Sequence, residues 1–227
     1  MLVTAQLVPG GPPPARHQVA VVIDVIRATT SLTVALAHGA ARVIPVGDVE
    51  EARAIAARTP GALLCGERGG RMVPGYDMGN SPPEFAVERV RGATLVFAST
   101  NGSPALIHAA TARERIPAAF VNATAVVERV ARAKRVVLVC AGALGHFALE
   151  DTACAGWIAR ALRDRGARLE GSEVAMAVTL APTSRDDVRT VLQGSYGGRA
   201  LRRQGKAYAA DVEFCAELDS LPQAFAI

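Results

Sequence analysis

"QVAVVIDVIRATTSLTVALAHGA", Gln18 to Ala40, opens on an unbroken apolar run from Val19 to Ile23, meets an acid at Asp24, and continues as a helix-like pattern to Gly39. An apolar run of that length, rich in β-branched residues, reads as a strand covered on both faces, the requirement of a parallel sheet flanked by helices. A strand that passes directly into a helix is the opening half of an α/β unit.

Outward from this stretch the alternation recurs. "RVIPVG" precedes "DVEEARAIAAR", "GALLCGE" precedes "PPEFAVERV", "TLVFAST" precedes "GSPALIHAATA", "AAFVNA" precedes "TAVVERVARA", and "RVVLVCAG" precedes "EDTACAGWIARALRDRGA". The pattern predicts a three-layer α/β fold, with a mostly parallel or mixed sheet and helices on both faces. Asp48 with Glu51 predicts a capping box, and Gly39 and Gly166 predict helix ends. After Gly171 the strand signal fades, and "SEVAMAVTLA", "SRDDVRTVLQ" and "AADVEFCAEL" read as helices, so the C-terminal part is helical. No repeat or linker interrupts the chain. It reads as one domain over residues 1–227, with 172–227 a candidate helical subdomain and Gly194 to Gly198 a candidate hinge.

Composition narrows the function classes. The 227 residues are 50% apolar, enough for a sizeable core, and carry a net charge of +4 that gives only a mild preference for anions. Aromatics are 4% of the chain, and the basic clusters "RVARAKR" and "LRRQGK" lack the interleaved stacking residues of single-strand binders, so nucleic acid is not an expected partner. The four cysteines stand far apart without a C-x-x-C pair and read as reduced, buried thiols. No leader and no apolar segment of membrane-spanning length is visible, so a cytoplasmic, membrane-free protein is expected. A homo-oligomer is compatible with this composition, which does not specify it.

In open parallel sheets, ligands sit beyond the carboxyl ends of the strands. Four segments bring polar groups there: Asp24, Arg27, Thr29 and Thr30; Glu67, Arg68 and the loop onward; Ser99, Thr100, Asn101 and Gly102; and Gly142 to His146 with Glu150 and Asp151. Capping of the following helices would explain one polar residue at each start. It explains neither the arginines among the acids nor the long glycine-bearing loop after "GALLCGE", whose length suggests a functional wall or lid. Asp24, Glu67, Glu150 and Asp151 are candidate ligands for a hard cation such as Mg²⁺. Arg27, Arg68 and Arg71 are candidate forks for oxyanions, and Gly69, Gly70 and Gly102 offer close amides. Asp77, Asn80 and Ser81 are candidate pocket wall. A small polyanion, with or without a metal, is the ligand class this rim suits.

Familiar chemistries are missing. There is no G-x-G-x-x-G after the first strand, no P-loop and no G-x-S-x-G. The histidines show no metal spacing, and only His146 lies near the predicted rim, as a candidate acid or base. Cys65 and Arg71 have the C-x5-R spacing of cysteine phosphatases. Glu67 between them would repel both thiolate and phosphate, and a buried strand-end thiol is the simpler reading.

Taken together, "IDVIRATTSLTVALAHGA" (Ile23 to Ala40), "GERGGRMVPGYDMGNSPPE" (Gly66 to Glu84), "STNGSPAL" (Ser99 to Leu106), "EDTACAG" (Glu150 to Gly156) and the late "DVEFCAELDSLPQAF" (Asp211 to Phe225) resemble the ComB-like 2-phosphosulfolactate phosphatases. The resemblance runs from about residue 20 to the end, with Ser103 where that family would carry Thr. It implies a Mg²⁺-dependent enzyme that hydrolyses 2-phospho-3-sulfolactate to 3-sulfolactate and phosphate, a step toward coenzyme M. For such an enzyme the acid-rich rim and the absence of a dedicated nucleophile suggest that Asp24, Arg27, Glu67, Arg68 and Asn101 act in catalysis, by direct water attack or through Asp24 as nucleophile. Two alternatives remain open: a phosphatase for another small phosphorylated hydroxy acid, and a non-catalytic anion-binding domain.

Overall fold

The structure, a computed structural model, describes residues 1–227. The strands are β1 (Leu2–Gln6), β2 (Val19–Ile23), β3 (Arg42–Pro45), β4 (Leu63–Arg68), β5 (Arg71–Met72), β6 (Thr94–Ala98), β7 (Glu114–Ala118), β8 (Arg135–Cys140) and β9 (Arg168–Leu169). The helices are α1 (Ala28–Ala37), α2 (Val49–Ala57), α3 (Val87–Val90), α4 (Gly102–His108), α5 (Ala123–Val130), α6 (Leu149–Arg163), α7 (Ser172–Thr179), α8 (Arg185–Gly194), α9 (Tyr196–Arg203) and α10 (Lys206–Cys215).

The α/β organisation is as expected, but the strands form two sheets. One runs β7-β2-β8-β1-β9, wholly parallel; the other runs β3-β6-β4-β5, parallel except for the β4–β5 hairpin. Alternation along β2 and β8 divides the core. Val19, Val21 and Ile23 face one cluster with α5, α6 and the C-terminal helices; Ala20 and Val22 face a second, shared with α1, α4 and the inner face of the other sheet. A third, smaller cluster lies under α2. Each sheet thus has helices on both sides, and α1 and α4 form the layer between them.

Residues 172–227 share the largest core with the first sheet: Val174, Val188, Leu201 and Val212 all belong to it. The tightest helix contact there is α6 on α7. Gly156 makes it possible, because an added Cβ would run into the carbonyl of Ala177 and lie 3.1 Å from the amide of Val178. Glycine to alanine inside a helix ordinarily stabilises by up to ~1 kcal/mol. Gly156→Ala is instead expected to destabilise by about 2–3 kcal/mol, an overpacking cost, read as a lower urea midpoint. An unchanged or higher midpoint would mean that α6 and α7 do not touch at this position.

Several local expectations are corrected. "AAFVNA" is not a strand: β7 ends at Ala118, and Phe120–Asn122 is a 3-10 turn. The strand lies earlier and includes Pro117, tolerated because β7 is an edge strand. "PPEFAVERV" is a 3-10 turn followed by the four-residue α3. Gly194 to Gly198 is the junction of two helices, where Ser195 caps α9 by accepting from the Gly198 amide at 3.0 Å. Strands β1, β5 and β9 and helix α9 were not foreseen.

Candidate functional site

The carboxyl ends of β2, β4, β6 and β8 open onto one cavity of about 190 Å³. Its lining includes Asp24, Arg27, Glu67, Asn101, Glu150 and Asp151 together with Gly69, Gly70, Asn80 and Thr100. The convergence inferred from four separate segments is therefore present. Four buried side-chain atoms in the molecule lack any hydrogen-bond partner: Asn80 Oδ1, Thr100 Oγ1, Glu150 Oε2 and Gln204 Oε1. All four belong to residues lining this cavity. Unsatisfied buried polar atoms are costly and rare, so their concentration here marks a site built for a ligand that completes them.

The carboxylates have distinct tasks. Glu67 is a buttress: Oε1 accepts from the Thr100 amide at 2.7 Å and Oε2 from the Gly70 amide at 2.7 Å, tying the end of β6 to the glycine loop. Asp151, at the start of α6, accepts from the Val25 amide at 2.8 Å and the Gly142 amide at 3.1 Å, pinning the ends of β2 and β8. Asp24 Oδ1 accepts from the Ala28 amide at 3.3 Å, while Oδ2 makes no hydrogen bond within the protein. Gly102 leaves room for it, since a Cβ there would lie 2.7 Å from Asp24 Oδ2 and would collide with Ala28.

Burial pushes the Asp24 carboxyl up to about 7, with the charges of Glu67 and Glu150 adding to the rise and the Ala28 amide and Arg27 opposing it. Burial also raises Glu150, a rise that its own backbone amide at the start of α6 partly offsets. Asp151 is raised well above the usual range by burial and by Asp24 and Glu150. The site therefore holds mutually repelling acids in a poorly solvated place, a pattern that clusters at functional sites. As hard oxygen donors, Asp24 and Glu150, each with a free oxygen, fit a cation such as Mg²⁺. No three His, Cys, Asp or Glu side chains converge as a complete protein cage. Mg²⁺ does not require one, because it keeps waters and takes one or two carboxylates plus substrate oxygens.

Other expected residues lie outside the cavity or have their polar groups engaged within the protein. Successive strand residues point to opposite faces, so with Glu67 in the cavity Arg68 turns away and donates to the carbonyls of Glu67, Ala98 and Gly47 at 2.7, 3.1 and 2.8 Å. Arg71 is exposed on β5 and has no ion pair. Asp77 ties the loop back to the start of β4 by accepting from the Leu64 amide. Thr29 and Thr30 bond the carbonyls of Asp24 and Val25, and Ser99 pairs with Ser103. Ser81 lies outside the cavity, on Asp211. The Gly70 amide is committed to Glu67 rather than free for an anion. Asn101 lines the cavity and also accepts from the Leu144 amide at 2.9 Å, holding the loop after β8. His146 is exposed and does not line the cavity. Cys65 is buried in β4 with its thiol pushed up by burial, so the C-x5-R spacing forms no reactive loop.

Sequence reasoning missed the C-terminal wall. Tyr196, Gly197 and Gln204 of the α9 region line the cavity, and Leu144 lies at its mouth. The rule that ligands meet strand ends carries no information about a helix packed over them.

Residues 6–225 match the 2-phosphosulpholactate phosphatase family. The chain is 39% identical over 208 residues, 91% of its length and 85% of the relative's, to a probable 2-phosphosulfolactate phosphatase of Carboxydothermus hydrogenoformans. It is 38% identical over 206 residues to that of Thermotoga petrophila, covering 91% and 87% of the two chains. With that of a Synechococcus species it shares 40% over 218 residues, covering 92% and 88%.

Proposed function

The chain belongs to the 2-phosphosulpholactate phosphatase family, and from that premise we propose that the cavity hydrolyses 2-phospho-3-sulfolactate to 3-sulfolactate and phosphate with Mg²⁺ bound. One observation carries the cation. The cavity holds four carboxylates and a single arginine, Arg27, whose charge is already met by Asp211. A substrate bearing phosphate, carboxylate and sulfonate would find no unpaired positive side chain there, so a divalent ion has to accompany it.

Glu150 and Asp24 would hold the ion through Glu150 Oε2 and Asp24 Oδ2. Bound there, Mg²⁺ supplies charge neutralisation at the phosphoryl oxygens and polarises the P–O bond. The protein's own groups do the positioning. Arg27 keeps guanidinium N–H donors beyond the two it spends on Asp211 and Gly70, and these stabilise charge on the equatorial oxygens. The Thr100 hydroxyl, without a partner in the protein, donates to an oxyanion. Asn101 Nδ2 serves the same anion while Oδ1 holds the loop. Water attacks phosphorus and the bond to the C2 oxygen breaks; one proton of the water ends on that oxygen and the other stays on the phosphate released. In the absence of the ion the Asp24 carboxyl keeps its proton up to about 7, so ion and proton compete for Oδ2.

Phosphate release from phosphosulfolactate should require Mg²⁺ and stop on addition of EDTA. Phospholactate and phosphoglycerate, assayed in parallel, report whether the sulfonate is recognised. Equal rates on all three would reassign the substrate. Tight binding of phosphosulfolactate without turnover would overturn the enzyme reading.

A further inference from the structure

Arg27 enters the cavity as one half of a buried ion pair with a residue from the far end of the chain. Its Nη1 donates to Asp211 Oδ2 at 2.5 Å, with side chains only 3% and 4% exposed. Its Nη2 donates to the carbonyl of Gly70, and its Cζ lies 5.4 Å from the centre of the Tyr208 ring. The other oxygen of Asp211 accepts from Ser81 Oγ at 2.6 Å. The carboxylate is therefore fixed on one side by the β4–α3 connection and holds the guanidinium on the other. Asp211 and Tyr208 both come from α10.

A tie between α10 and the body of the protein could explain these contacts, but it is a poor reason for an ion pair. Apolar side chains of similar volume usually hold buried segments together as well or better, because two charges must first be desolvated. What an apolar contact cannot do is fix a planar fork of donors. The guanidinium's plane is set by two hydrogen bonds to separate segments and by the ring beside it, which leaves its remaining donors in a fixed attitude at the cavity wall.

We propose that Asp211 is a positioning residue for Arg27: it sets the angle and depth of the guanidinium so that its free N–H groups meet the transferring phosphoryl oxygens, with Ser81 fixing Asp211 in turn. This rests on the phosphatase reading above. The consequence is that catalysis depends on the last helix of the fold, although Asp211 itself touches no substrate. A displacement on the order of 1 Å at such a group can cost about a hundredfold in rate.

The test uses the full chain with Asp211→Asn and, as a milder second variant, Ser81→Ala. Steady-state phosphate release gives kcat and KM separately, and ¹H–¹⁵N spectra report whether the Arg27 Nη groups are held or rotate freely. Asp211→Asn is expected to lower kcat by about a hundredfold with KM changing by less than about threefold, and to collapse the resolved Arg27 Nη signals. Ser81→Ala is expected to act in the same direction by about threefold to tenfold. If either folded variant keeps wild-type kcat and wild-type Arg27 signals, losing only thermal stability, Asp211 is a structural tie and the proposal falls. Should Asp211→Asn not fold, Ser81→Ala decides alone on the same readouts. Should the wild-type protein release no phosphate, the phosphatase reading fails by itself, and the Arg27 signals still show whether Asp211 holds the guanidinium.

Discussion

Replacing Asp24 by asparagine is expected to cut phosphate release by about a thousandfold while making the protein harder to unfold. The two effects share one cause. Asp24 is buried at the end of β2, and its carboxylate is opposed by the charges of Glu67 and Glu150. Asparagine keeps the shape and can still accept from the Ala28 amide through Oδ1, so the turn into α1 survives. It removes the ionisable oxygen that would face cation and phosphate, and with it the repulsion. A gain of about 1 kcal/mol would raise the melting temperature by about 2–4 °C for a chain of this size. Turnover near the wild-type rate would remove Asp24 from the chemistry. A joint loss of turnover and stability would make it a structural residue instead. Borohydride trapping on the wild-type enzyme adds the remaining distinction, since an aspartyl-phosphate forms only if Asp24 attacks phosphorus itself.

The divided outcome expected at Asp24 also shows what could be read from residues alone. The run Val19 to Ile23 had to be a covered parallel strand, and a covered parallel strand ends in a ligand site, so Asp24, Glu67, Thr100, Asn101 and Glu150 could be gathered before any geometry was known. The error at Arg68 came from treating neighbours as companions. The period of two in a strand forces Glu67 and Arg68 apart, and three backbone carbonyls claim the arginine. β1 was invisible for another reason. Its five residues include Thr4 and Gln6, and its place between β8 and β9 is decided by tertiary pairing rather than local pattern. The partition into two sheets has the same origin, since strand order is a long-range property that no single run expresses. Tyr196, Gln204 and Asp211 come from helices that fold back over the strand ends, and only the match of "DVEFCAELDSLPQAF" hinted that this tail mattered.

With divalent ions chelated, the melting temperature is expected to fall as pH rises from about 4 to about 7. A carboxyl whose hold on its proton is strengthened by folding stabilises the fold only while the proton remains. Below the ordinary aspartate value of 3.8 both folded and unfolded chains keep it. Between there and about 7 the unfolded chain has lost the proton and the folded one has not, so unfolding releases it and rising pH favours unfolding. Glu150 and Asp151, raised by the same burial, act in the same direction. Asp187, lowered by bonds from Thr183 and Ser184, opposes this only at more acid pH. Mg²⁺ competes with those protons for the same oxygens, so its stabilising effect should grow from pH 6 to pH 8. Asp24→Asn should flatten the slope of the chelated protein and weaken the response to the ion. A chelated protein that gains stability over this interval, or an Asn variant with an unchanged slope, would show that the acids are not electrostatically stressed. The need for a cation would then lose its physical basis, because that stress is what makes a bare pocket of four carboxylates hostile to a polyanion and a metal-loaded one receptive.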